Sequence, residues 1–279
     1  MEAQKEPAKK ISGYALHKTS TIFATIVIPI ELIIGIVVYK YILGNPAHFM
    51  DNNPANHPLP GDFWGMVYKG GVTVPVIITF FLVVLTFFAE RIWTLYKARG
   101  NKNPVEFVLN VKEHVSSFNI DAAKQACDEQ QGSIANVVKA GLERYEDVQK
   151  RDDLSMEQKA LALQKEMDEA SEMEIPVLEK NIIILSTIAS ISTLTGLLGT
   201  VLGMIKAFAA LAHAGAPDAV GLATGISEAL MSTALGISTS MIAILLYNYV
   251  TTRIDKIMFL TAEISQAIIR TFSYKHIDE

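Results

Sequence analysis

Only one cysteine, Cys127, occurs in 279 residues, which excludes an intrachain disulfide and any cysteine-built metal site. Charge is also sparse. Asp, Glu, Lys and Arg make up 19% of the chain, and the net charge of -5 sits mostly in one hydrophilic block, so nucleic acid is not implied as a partner. Enzyme signatures are thin. No Gly-rich loop leads into Lys-Ser/Thr, no histidine pair has ligand spacing on a helix, and no G-x-S-x-G occurs. The six histidines (17, 48, 57, 114, 213 and 276) are scattered; His48 and His57 share one loop, where solvated histidines are the ordinary case. Neither catalytic residues nor a metal or cofactor are therefore expected. An internal repeat, which a solute transporter should show, is absent as well.

What the chain has in quantity is apolar sequence. Half of its residues are hydrophobic, in continuous runs of about 20, which is the membrane signature. The expected fold is an all-α integral membrane protein with four transmembrane helices, whose long helices extend into a cytoplasmic helical bundle. The divisions read as a polar tail 1–21, an N-terminal span 22–43, an outer loop 44–70, span 2 at 71–96 and a cytoplasmic helical block 97–180. Span 3 at 181–213, a tight loop 214–220, span 4 at 221–250 and a C-terminal helix 251–279 complete it. The first run is longer than a signal-peptide core and lacks a small-x-small cleavage pattern, so it is expected to remain as an anchor.

Orientation follows from the basic residues. The tail carries Lys5, Lys9, Lys10 and Lys18, and span 2 ends against Arg91, Lys97, Arg99 and Lys102. Arg253 and Lys256 follow span 4, whereas loop 44–70 has Lys69 alone and the tight loop has none. The positive-inside rule then puts both termini in the cytoplasm. The outer loop is rich in Pro, Asn and Gly, and its Trp64 and Tyr68 stand where an interfacial aromatic belt would lie.

In the hydrophilic block, NPVEFVLNVKEHVSSF and SIANVVKAGLERYEDV have the apolar spacing of amphipathic helices, with starts near Asn103-Pro104 and Ser133. DLSMEQKALALQKEMDEASEMEIPVLEKN reads as one charged helix with a capping-box start, running without a Gly into span 3, with a kink at Pro176. Its carboxylates are a solvated surface.

Spans 3 and 4 are unusual. Thr193, Gly196, Thr200, Gly203 and Ala207 fall on one face of span 3, with Gly199 and Gly203 forming G-x-x-x-G. Gly225, Ala229, Ser232 or Thr233, Gly236, Ser240 and Ala243 do the same on span 4. Small faces let membrane helices approach closely, so helix packing explains the glycines. It explains less well the mid-span threonines and the nearby Glu228 and Lys206. With Thr200 and Thr233 level on antiparallel helices, Lys206 lies roughly 9 Å and Glu228 roughly 7.5 Å outward, which allows them to pair near an outer mouth. The alternative is that both snorkel to water at the interface. Glu31, beside Pro29 in span 1, either faces a partner helix or marks a proton site; Glu90 and Arg91 read as interfacial.

The segments LEKNIIILSTIAS, GLLGTVLGMIKAF and GISEALMSTALG, closed by YN and Arg253, resemble the MotA/TolQ/ExbB family of ion-channel motor subunits. The resemblance covers roughly residues 170–270 well, and EAL at Glu228 favours the ExbB and TolQ branch. It implies a homopentamer in the inner membrane of Gram-negative bacteria around a dimer of an ExbD-like single-span partner. Proton flow would energise a TonB-like periplasm-spanning protein. It further implies that Thr200 and Thr233 are proton-path hydroxyls and that Glu228 is the acid near the outer pore, with the proton-carrying Asp on the partner. Thr193 and Ser240 then line the pore, Lys206 joins Glu228 at its mouth, and Gly196, Gly199, Gly203 and Gly236 pack helices. Two motif prolines of the family are replaced here by Thr193 and Ile242, and the N-terminal span is additional to the common three-span plan.

Overall fold

The computed structural model describes residues 25–151, 153–212 and 218–275. The polar tail, the start of span 1 and most of the tight loop before span 4 lie outside the described residues. The main helices described are α1 Thr25–Leu43, whose end Val38–Leu43 is π-helical, α2 Phe63–Tyr68, α3 Val74–Arg99, α4 Pro104–Ser116, α5 Ile120–Gln130, α6 Gly132–Gln149, α7 Met156–Glu179, α8 Ile182–Leu211 and α9 Ala219–Lys275. Four helical segments are long and apolar enough to cross a membrane, and the protein is an all-α multi-pass membrane protein.

The chain divides into two compact units. The first holds the described residues of Met1–Phe87 together with Ile184–Leu246. Within it α1 is a nearly bare rod. Only 17% of its apolar window is buried, and Ile26, Ile28, Ile30, Ile33, Ile34 and Ile36 are exposed. Its one inward stripe is Glu31, Gly35, Tyr39 and Leu43 at four-residue spacing. Four residues fall just beyond one 3.6-residue turn, so this set keeps to one side of the helix. A Cβ on Gly35 would come within 2.6 Å of Thr79 Oγ1 and 2.9 Å of the Pro75 carbonyl, so glycine is what lets α1 close on α3. Segment 44–70, rich in turn formers, is folded rather than loose. Asn45 caps a 3₁₀ turn and Asp62 caps α2, each through its side chain. Phe49 is 2% exposed, and Lys69 Nζ donates to the carbonyls of Pro54 and Ala55 at 2.9 and 3.0 Å. Tyr68 stacks on Tyr39 at 4.7 Å and meets Phe49 edge-on, while Trp64 is exposed beside Phe63.

The second unit comprises Phe88–Ile183 and the described part of Tyr247–Glu279. Its helices α4 to α7 pack with the end of α9 around Val111, Ala123, Leu142, Tyr145, Leu163, Met167, Ile268 and Phe272. Each large apolar side chain so buried contributes about 1.5–3 kcal/mol. A Cβ on Gly141 would come within 2.7 Å of Met167 Sδ, which shows how closely α6 and α7 approach. Asn103 caps α4 and Asn119 caps α5, while Ser155 and Gln158 form a reciprocal capping box at the start of α7. α6 begins at Gly132 with no side-chain cap, one residue before the sequence-expected Ser133 start.

One sequence expectation needs correction. The charged helix does not run unbroken into span 3: α7 stops at Glu179, and Asn181 takes a left-handed φ of 59° before α8 begins. Asn tolerates that region better than most residues, so no glycine is required. α7 also passes through Pro176 without a change of element. Arg91 is 1% exposed, its guanidinium forked onto Glu90 and pointing one arm at the Val177 and Leu178 carbonyls. These last-turn carbonyls lack helical donors, and a cation there also complements the helix dipole.

Candidate functional site: the α8–α9 seam

α8 and α9 meet backbone to backbone. A Cβ would come 2.6 Å from Ala229 N at Gly203, 2.6 Å from Ala207 N at Gly225, 2.6 Å from the Ser192 carbonyl at Gly236, and 3.1 Å from the Ser232 carbonyl at Gly196. The register is antiparallel. Any larger residue at these positions forces the helices apart, which gives the small-residue faces a plain packing role. Ser240 belongs to the same seam: it is buried and donates to the Ala189 carbonyl at 2.5 Å. α8 runs through Thr193, and α9 through Ile242, without interruption where the family carries prolines.

On one flank of the seam Thr200 and Thr233 are hydrogen-bonded through their hydroxyls. Thr233 Oγ1 also lies 3.0 Å from the Ala229 carbonyl and 3.2 Å from that of Gly196, so the pair has acceptors on both helices. About one and a half turns further along, on the opposite flank, Lys206 Nζ donates to both Glu228 oxygens at 2.6 and 2.8 Å. The pair is lopsided. The Glu228 side chain is 8% exposed and that of Lys206 56%. Gly71 covers the carboxylate, at φ +78°, where a Cβ would fall 1.9 Å from Glu228 Oε1.

The flank of Glu228 also carries a hydroxyl cluster that sequence reasoning left largely unread. Ser232 Oγ, fully buried, donates to the Gly70 carbonyl at 2.7 Å and lies 2.8 Å from Thr73 Oγ1. Gly199 makes room for it, since a Cβ there would stand 2.3 Å from Ser232 Cβ. Thr73 and Gly71 sit in the 3₁₀ turn Gly71–Thr73 that leads into α3, so the N-terminal end of α3 is tied into the seam. The adjacent glycines Gly70 and Gly71 were the available signal. Thr193, by contrast, is exposed and takes no part in these contacts.

The arrangement is a membrane seam bearing paired hydroxyls, with a buried carboxylate and a half-exposed ammonium toward one end. It offers a proton successive oxygen partners and offers an enzyme no nucleophile–base pair. The fold and this seam define a polytopic helical membrane protein.

Residues 129–272 match the MotA/TolQ/ExbB proton channel family, and the chain belongs to it. It is 40% identical over 91 residues to the Tol-Pal system protein TolQ of Haemophilus influenzae, covering 33% of this chain and 40% of that protein. It is 25% identical over 217 residues to the TolQ of Pseudomonas aeruginosa, covering 75% of this chain and 90% of that one. To the biopolymer transport protein ExbB of Salmonella typhimurium it is 39% identical over 64 residues, which cover 23% of this chain and 26% of that protein.

Proposed function

We propose that this chain is an ExbB-like subunit of a proton-driven motor in the bacterial inner membrane, with both termini cytoplasmic. It forms a pentamer around a dimer of an ExbD-like single-span partner, and converts proton motive force into work on a TonB-like protein that serves outer-membrane transport. The observation that carries the reading is the contact between the Thr200 and Thr233 hydroxyls on facing helices. A partner acid moving along that flank would meet paired hydroxyls, while the Lys206–Glu228 pair stands on the opposite flank of the same seam. In this reading Thr200 and Thr233 hand on protons, Glu228 and Lys206 set the field at the pore mouth, and Gly196, Gly199, Gly203 and Gly236 hold the wall together. Thr193 and Ser240 are its weaker members, the first because it stands outside the seam and the second because its hydroxyl is committed to the Ala189 carbonyl.

The TolQ-like reading is the specific alternative, favoured by the length of the match to the Pseudomonas protein. One mutation series tests the motor common to both. Thr200→Val and Thr233→Val retain side-chain volume and remove the hydroxyls, so proton uptake by vesicles carrying the chain with its partner should fall while assembly persists. Undiminished uptake in both variants would sink the assignment of these threonines, and loss of assembly would identify them as packing residues only. Complementation of strains lacking ExbB or TolQ separates the two branches.

A further inference from the structure

α1 buries almost nothing, yet one of the few residues it buries is a glutamate. Glu31 is 6% exposed on a helix whose isoleucines are exposed, and it stands one turn from Gly35, where α1 packs tightly on α3. Thr86 Oγ1 of α3 lies 2.5 Å from Glu31 Oε1, while Oε2 is buried with no hydrogen-bond partner. Among the described residues of this unit, the ion pairs are His48–Asp62 and Lys206–Glu228, and neither includes Glu31.

An ionised carboxylate in this position would leave a charged oxygen buried against hydrocarbon without a donor, the costliest way to bury oxygen. A neutral acid resolves the same heavy-atom geometry. With the proton on Oε1 and donated to Thr86 Oγ1, Oε2 becomes an uncharged carbonyl oxygen, which is far cheaper to leave unpaired. The 2.5 Å separation lies within the range of O–H···O bonds. We propose that Glu31 is an intramembrane proton-binding site, its acid proton held against Thr86 in the α1–α3 interface and separate from the α8–α9 seam. The groups that face it are neutral: Thr86 on α3, with Thr79 one to two turns along and Gly35 beside it on α1. The site belongs to the additional N-terminal span and does not depend on the motor reading above.

The test uses the full chain in lipid vesicles at neutral pH. Infrared difference spectra between the wild type and Glu31→Gln should show loss of a protonated-carboxyl C=O stretch. Thr86→Val, which keeps Glu31 but removes its partner, should shift that band rather than abolish it. A hydrophobic carbodiimide should label Glu31. The acid O–H adds across one C=N bond, the carboxyl oxygen bonding to the central carbon and the proton passing to nitrogen, with nothing leaving; mass spectrometry locates the adduct. A spectrum in which Glu31→Gln removes a carboxylate band instead of an acid band overturns the proposal. So does a wild-type acid band unmoved by Thr86→Val.

Discussion

Gly71 and Glu228 are in contact at one end of the seam, and only the lack of a side chain on the glycine permits it. A Cβ at Gly71 would fall 1.9 Å from Glu228 Oε1 and 2.4 Å from its carboxyl carbon, on a backbone already at φ +78°. Two costs therefore coincide at one residue. Gly71→Ala is expected to destabilise the protein by the left-handed backbone penalty of about 1–2 kcal/mol plus the displacement of Glu228 from Lys206. The check is the midpoint of thermal unfolding in detergent. An unchanged midpoint would mean that the carboxylate moves aside freely.

Lys206 and Glu228 form the second case. Glu228 is the buried partner and Lys206 the half-exposed one, so the two single substitutions are not equivalent. Lys206→Met leaves a buried carboxylate without its donor, whereas Glu228→Gln leaves a lysine free to reach water. Lys206→Met should be the more damaging by about 1 kcal/mol, a value discounted for the exposure of the ammonium. Adding Glu228→Gln to it should restore part of the loss. A double-mutant cycle with no coupling would show that the contact is incidental.

How far the sequence carried depended on which physical rule set each feature. Span existence follows from run length alone, and the helix starts at Asn103 and Ser155 follow from side-chain chemistry local to the turn. α5 escaped notice because IDAAKQACDEQ offers only Ala123 and Cys127 as its buried apolar anchors, too weak a stripe to register a period. The α7–α8 break escaped because Asn181, not glycine, takes the left-handed position. In the seam, threonine spacing and the depths of Lys206 and Glu228 were readable because both helices are regular. The roles of Thr73, Gly71 and Arg91 were not, since each depends on an element distant in the chain.

Asp62 gives a pH-dependent test outside the spans. It accepts from Gly65 N at 2.8 Å and lies 2.8 Å from His48 Nδ1. These bonds, the backbone one first, hold its carboxyl below the ordinary aspartate value of 3.8. A depressed folded value means that its contribution to the α2 cap is present above the unfolded value and is lost as pH falls through the folded one. With Trp93→Phe, Trp64 becomes the sole tryptophan and reports on α2. Its emission should show an acid transition centred below pH 3.8 that disappears in Asp62→Asn. A transition that persists in that variant would place the titrating group elsewhere.

Arg91 tests whether the α7–α8 break is built in. Its guanidinium is bound on one side by the Glu90 fork, with Nε at 2.6 Å, and reaches Thr94 Oγ1 at 3.4 Å. The remaining arm approaches the Leu178 carbonyl at 3.4 Å and that of Val177 at 3.5 Å, long contacts that point to positioning rather than a tight clamp. α7 ends immediately beyond them, and the left-handed Asn181 prevents the following amides from continuing the helix. Arg91→Met keeps the apolar stem and removes every donor, leaving the Leu178 carbonyl without its charged partner at a buried site. The expected loss is on the order of 2 kcal/mol, the scale of hydrogen bonds to a charged group. Arg91→Lys retains the charge but not the planar fork, so it should recover less than half of that loss. Amide exchange at residues 178–183 is the direct readout. It should accelerate in Arg91→Met while α4 and α6 keep their protection, because the damage is confined to the end of one helix. Equal acceleration throughout the unit would instead mean that Arg91 supports the whole fold of the unit, and that the break is held by Asn181 alone.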